Sequence, residues 1–259
     1  MRAPGPVRIL EHRLRSYRRQ WRGSVFSTFL TPVLFLASIG VGLGALVDAN
    51  AAGTGAMDAA YIAFLAPGIL VASAMQTASF ESTWPVAAGI VWDRTYLAAL
   101  ATPIRTLDIA LGNLLFVGFR LIVSGVVFLA VAVLFGAISP LAGLAILPVS
   151  VATGIAFSAA IQAFSATQRG DQGFTLLFRF VITPLFLFSG TFFPIEELPE
   201  AIRWGAWLSP LWHGIDLARG IALGGMEPLL PVIHALVLAA FLGAGLVASA
   251  VLFRRRMVR

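Results

Sequence analysis

Six stretches of this chain are apolar over about 20 residues, the length a helix needs to cross the hydrocarbon core of a bilayer: 26–47, 62–80, 109–135, 141–164, 174–193 and 229–253. Inside lipid no water is present to satisfy open backbone N–H and C=O groups, so each stretch must close its hydrogen bonds within itself as a helix. The chain therefore reads as an all-α, polytopic membrane protein with six transmembrane helices. Residues 1–259 form a single transmembrane domain, because no hydrophilic stretch is long enough to fold separately. Composition agrees: 59% of residues are hydrophobic, only 12% are charged and the mean hydropathy is +0.90, which is too apolar for a surface wetted by water.

The arginines orient the spans. Fourteen of the 18 basic residues fall in the N-terminal segment, the 81–108 loop, the 165–173 loop and the C-terminal tail, against two (Arg203, Arg219) on the opposite side. An excess of Arg and Lys marks the cytoplasmic side, which predicts both termini in the cytoplasm. The arginines lie between spans and form no continuous basic stripe, so the net charge of +6 points to membrane lipid and not to nucleic acid.

Three segments outside the spans are patterned. In 6–22, Val7, Leu10, Leu14, Tyr17 and Trp21 recur at helical steps with arginines between them, which predicts an N-terminal interfacial helix on the inner leaflet. Within the 85–108 loop, residues 92–100 read as a short cytoplasmic helix ended by Thr102-Pro103. The 194–228 loop holds Trp204, Trp207 and Trp212 between Pro199 and Pro210, and is apolar enough to re-enter the outer leaflet. An aromatic belt at the interface is the alternative reading of that loop.

Several chemistries are excluded by residue type. Without cysteine there is no disulfide, thiolate nucleophile or cysteine zinc site, and without lysine there is no P-loop of the lysine type. Three histidines (His12, His213, His234) lack a second ligand at helical spacing, so no metal site is predicted, and His234 reads as a packing residue. No bound cofactor and no catalytic residues are expected in this chain. Gln76 and Gln162 are nearly the only polar groups near midspan, too few for a proton- or sodium-coupled carrier. Of the charges near membrane depth, Arg120 and Arg179 are expected to snorkel to the inner headgroups, and Glu81 to pair with Arg94 or Arg105.

Glu81-Ser82-Thr83-Trp84, then Leu97 to Ile104 and Asp108 to Gly112, resemble the second cytoplasmic loop of type-2 ABC exporter permeases, especially the nodulation-factor and daunorubicin-resistance branch. Ser189-Gly190-Thr191-Phe192-Phe193-Pro194, Leu208-Ser209-Pro210-Leu211 and Asp216 to Gly220 are similar to that family's late signature. Where many relatives carry Glu-Arg-x-x-Gly-Thr, this chain has Ser82-Thr83 and Trp92-Asp93-Arg94. The resemblance implies a non-enzymatic permease that forms a homodimer, or a heterodimer with a paralogous permease, and works with a cytoplasmic ATPase that binds the ATP. It implies an ATPase-coupling surface of Arg94, Thr95, Tyr96, Leu97 and Leu100, with Arg169 and Asp171 as a secondary contact, and an extracellular gate of Phe193, Trp204, Trp207 and Trp212. The implied cargo is amphipathic or lipophilic: a drug, a lipid or a lipid-linked glycan. Two other readings stay open, an intramembrane lipid-modifying enzyme acting through Glu81, Asp108 and Asp216, and a membrane scaffold packed through Gly40, Gly42 and Gly44.

Overall fold

A computed structural model describes residues 4–35 and 61–258, and every regular element among them is a helix. Among the described residues, four helical stretches are long and apolar enough to cross a membrane. The first is α2 (Tyr61–Ser82), continued by α3 (Trp84–Ala87) and a π-helical turn (Ala88–Trp92). The others are α5 (Thr106–Leu134), α6 (Pro140–Thr167) and α11 (Leu230–Met257). At 28 residues, α6 and α11 are each roughly 40 Å long, more than the hydrocarbon core requires.

The fifth window differs from expectation, and the first is described only in part. The fifth is broken into α7 (Gln172–Leu177), a π-helical turn (Phe178–Ile182) and α8 (Thr183–Phe188), and it stops at Phe188. The stop follows from Ser189-Gly190, where Gly190 takes φ +83°, a conformation that ends a right-handed helix. The first window is described only as far as Phe35, and its remainder, with Gly40, Gly42 and Gly44, lies outside the described residues. Its start is continuous with the N-terminal segment: α1 (Gly5–Phe35) is one helix of 31 residues, with no break between the basic stretch and the apolar one.

Helix ends follow local chemistry. Ser139 and Ser209 cap α6 and α10 (Pro210–Leu223), accepting from the backbone N–H of Ala142 and Leu211, and a proline occupies the first helical position of each. Asp108 closes the start of α5 by accepting from the Arg105 N–H at 2.8 Å. The short helix α4 (Thr95–Leu100) begins three residues later than its sequence pattern suggested, because Arg94 sits at φ +51° and turns the chain between the π-helical turn and α4.

Helix α6 is the hub, packing on α2, α5, α10 and α11 around Leu65, Met75, Ile146, Leu211 and Ile215. Its fit with α11 is close enough that a Cβ on Gly245 would lie 2.7 Å from the Ala160 nitrogen, and Ser249 donates to the Ala159 carbonyl beside it. By contrast α7, α8, the π-helical turn between them and most of α11 turn large apolar side chains outward, among them Leu176, Phe180, Leu187, Leu236 and Val247. That is the pattern of a surface solvated by lipid or by another apolar helix.

Candidate functional site at the two ends of the bundle

One end gathers the start of α1, α4, the start of α5 and the C-terminal end of α11, where Ile9, Tyr96, Ile109 and Phe253 form a buried cluster. Arg254, Arg255 and Arg256 extend beyond it, so we term it the basic end. Here α4 is anchored by its inner face. Tyr96 is buried and its hydroxyl donates to Asn113 Oδ1 at 3.0 Å, and the same oxygen accepts from Arg13 Nη1 at 3.0 Å. Burial pushes the Tyr96 hydroxyl above its ordinary pKa, partly offset by the neighbouring Arg13.

Below α4 lies a three-charge network. Glu81 Oε2 is 3.3 Å from Arg13 Nη2, and Glu81 Oε1 is 3.3 Å from Arg120 Nε, close enough to pair but not aligned as a hydrogen bond. The two guanidinium groups lie over aromatic rings, Arg13 on Phe116 at 4.3 Å and Arg120 on Tyr17 at 4.7 Å. These contacts border a cavity of about 890 Å³ between α1, α2, α4 and α5, lined also by Gln76 and Tyr96. Two expectations are corrected here. Glu81 pairs with Arg13 and Arg120, not with Arg94 or Arg105, because α1 crosses α5 at the level of Asn113 and brings its own arginine inward. Arg120 consequently does not snorkel outward; it is held by Glu81 and shielded by Tyr17.

The residues expected at the coupling surface separate into two groups. Tyr96 faces inward and Leu100 is half-buried, while Arg94, Thr95 and Leu97 are exposed on the outer face of α4. Arg169 and Asp171 lie exposed in the turn between α6 and α7. That turn is joined to the end of α2 by Trp84, whose ring packs 5.4 Å from both Phe174 and Phe178. Arg179 is exposed in the π-helical turn of 178–182, its guanidinium 5.8 Å from the Phe180 ring centre.

At the opposite end, the 194–228 segment folds as a 3₁₀ turn (Ile195–Glu197), α9 (Glu200–Trp207) and α10. Phe193 and Trp212 pack together on Ile195, Leu198 and Ala206, whereas Trp204 and Trp207 meet edge to face at 5.0 Å on the outside. Helix α10 is then sewn to its neighbours by two devices that the sequence did not advertise. Arg219 donates from Nε to the Phe64 carbonyl at 3.1 Å and from Nη2 to the Thr191 carbonyl at 2.9 Å, its guanidinium stacked 3.6 Å from the Phe64 ring centre. Burial lowers its pKa to about 10, so it remains a cation at neutral pH. In the second device, His213 Nε2 lies 3.0 Å from the Trp207 carbonyl, His213 Nδ1 lies 2.7 Å from His234 Nδ1, and His234 Nε2 lies 3.0 Å from Asp216 Oδ2. Reading His234 as simple packing missed this chain, for which the available signal was the one-turn spacing of His213 and Asp216 on a single helix face.

Apolar helices long enough to cross a membrane, bundled with a short helix at one end and a pair of linked short helices at the other, make up a helical membrane protein. The chain belongs to the ABC-2 type transporter family, whose model matches residues 8–223. It is similar to Nodulation protein J of Rhizobium leguminosarum bv. viciae, with 32% identity over 94% of this chain and 92% of that one. Nodulation protein J of Rhizobium meliloti (strain 1021) is 32% identical over 91% and 87% of the two chains, and that of Bradyrhizobium diazoefficiens 29% over 94% and 90%. The chain is thus a transporter permease subunit and does not itself hydrolyse ATP.

Proposed function

We propose that this permease crosses the cytoplasmic membrane six times with both termini in the cytoplasm, and exports an amphipathic or lipophilic molecule when a separate ATPase closes on its basic end. The six crossings would be completed by the segment that begins in α1 and by the α7–α8 stretch. The single observation that supports the coupling role is the two-sidedness of α4. Its inner residue Tyr96 is tied through Asn113 to α1 and α5, while Leu97, Arg94 and Thr95 stand free on its other face. A push on the free face is therefore delivered to at least two long helices, and stiff packed helices move as bodies. Arg169 and Asp171 would form the secondary contact. The outward apolar faces of α7, α8 and α11 suit lipid and a second permease, either a copy of this chain or a paralogue. Phe193, Trp204, Trp207 and Trp212 would form the gate on the far side.

The test is direct. Full-length permease is purified with a candidate ATPase from a neighbouring reading frame, and complex formation and ATP hydrolysis are measured for the wild type and for Leu97→Asp. An exposed substitution of this kind changes permease stability by no more than about 0.5 kcal/mol. The expected result is stable association of the wild type and loss of both binding and stimulated hydrolysis in the variant. An L97D permease that binds and stimulates like the wild type removes α4 as the coupling element.

A further inference from the structure

The hydrogen-bond chain that joins α9, α10 and α11 contains a countable number of protons. The Trp207 carbonyl can only accept, so His213 Nε2 carries a hydrogen. A neutral His213 therefore presents a bare Nδ1, and the hydrogen in the 2.7 Å contact with His234 Nδ1 belongs to His234. A neutral His234 would then face Asp216 Oδ2 at 3.0 Å with a lone pair against a carboxylate oxygen, which is repulsive. One further proton is required; on His213 it would also close the chain, with His213 Nδ1–H donating to His234, but between His234 and Asp216 it lies directly against the carboxylate at 3.0 Å. Asp216 keeps 38% of its side chain open while the His234 side chain is 1% exposed, so the carboxylate is the solvated end of the chain and His234 the enclosed one. The proton rests on His234, forming an imidazolium–carboxylate pair with neutral His213 docked on its other nitrogen.

We propose that His213, His234 and Asp216 form a proton-binding latch: one shared proton fastens the paired short helices to α11, and a second proton, taken up by His213, releases them. With His213 also charged, two N–H groups would oppose each other across the 2.7 Å contact, and two cations would stand with ring centres 5.0 Å apart. Neither geometry survives without the rings parting. Burial, and then the adjacent His234, hold His213 below the ordinary imidazole range, so the fastened state dominates at neutral pH and release needs a markedly acidic medium.

The surrounding groups leave the titration to these three residues. Helix α6 carries no titratable side chain. On α2 the group at this end is Tyr61, whose hydroxyl donates to the Phe192 carbonyl. On α9, Arg203 is engaged by the Glu196 and Leu198 carbonyls, and Glu200 lies exposed in the first turn. Arg219, one turn beyond Asp216 on α10, is a fixed cation held by two carbonyls. The end of α10 nearest His213 is a helix N-terminus, which disfavours added positive charge; the Trp207 carbonyl and Asp216 oppose this at His213 but are outweighed by burial and the adjacent His234. The consequence for transport, that acid outside biases the gate open, rests on the permease reading. The proton count does not.

The experiment uses full-length protein in nanodiscs of phosphatidylcholine and phosphatidylglycerol, labelled with ¹⁵N-histidine in a His12→Asn background so that two rings report. At pH 7.5 one ring should show the imidazolium signature and the other the neutral Nε2–H tautomer. Asp216→Asn should erase the imidazolium, and His213→Asn, whose side-chain oxygen can still accept from His234, should retain it. A distance probe between Gly205 and Leu229, both exposed, should lengthen between pH 7.5 and pH 5 in the wild type and stay unchanged in H213N. Two neutral rings at pH 7.5, or equal opening of wild type and H213N, would overturn the latch. Because no ATPase or substrate takes part, either failure leaves the coupling assignment standing, and failure of ATPase binding leaves the latch standing.

Discussion

At the basic end, buried charge is met by buried charge: Arg13 and Arg120 share Glu81, three side chains from three helices. At the opposite end, the buried cation Arg219 is met by backbone, the carbonyls of Phe64 and Thr191, with a ring beneath it. The difference has an energetic meaning. A network made only of side chains can be removed as a unit, whereas a clamp on carbonyls leaves its acceptors behind when the cation goes. The first arrangement ties whole helices together and the second ties a short helix to particular turns of chain.

The largest expected effect comes from breaking the side-chain network unevenly. Glu81→Ala leaves two guanidinium groups facing each other without a counter-charge and should cost about 3–5 kcal/mol, read as a lower unfolding temperature in detergent. The sharper version is the triple replacement Arg13→Met, Glu81→Leu, Arg120→Met, which should recover stability to within about 1 kcal/mol of the wild type because no orphaned charge remains. A triple variant as unstable as E81A would show that the charges stabilise through something other than each other.

Next in size is Arg219→Ala, which strips donors from two buried carbonyls and should cost about 2–3 kcal/mol. Here the apolar isostere Arg219→Met should not rescue, since the Phe64 and Thr191 carbonyls stay where they are; rescue by methionine would erase the contrast between the two ends. Gly68→Ala tests the same clamp from the other side. A Cβ at that position would sit 2.9 Å from the Thr191 oxygen and 3.0 Å from Arg219 Nη2, so the turn must move and about 1–2 kcal/mol should be lost. The loss should shrink in an R219M background, which a double-mutant cycle would read directly.

The spans were legible because lipid thickness fixes a length and lipid polarity fixes a composition; 62–80, 109–135, 141–164 and 229–253 each fall within or close to an observed helix. What could not be read was pairing. Glu81 is 68 residues from Arg13, and hydrophobic pattern carries no information about which helix lies alongside which. The start of α4 was misplaced because a left-handed Arg94 breaks the helical run without a glycine to announce it, and 174–193 was drawn too long because apolar Phe192 and Phe193 continue past the turn at Gly190. His213 and His234 were set aside for want of a metal-like spacing, although their partnership is with each other and with Asp216.

The smallest expected effect concerns the joint between α4 and the bundle, and its sign can be worked through. Burial raises the Tyr96 pKa above its ordinary value of 10.0 in the folded protein, so the unfolded chain loses that proton first as pH rises. The stability tied to neutral Tyr96 is therefore fully present below pH 10 and is lost as pH climbs through the folded-state value. Tyr96→Phe removes the titration along with the hydrogen bond to Asn113 and should cost about 1 kcal/mol at neutral pH. Above pH 10 the gap between the two proteins should narrow, because only the wild type pays to bury a phenolate or a retained proton. A gap that stays constant between pH 8 and pH 11 would mean that Tyr96 titrates freely, and that α4 is held by something other than its buried hydroxyl.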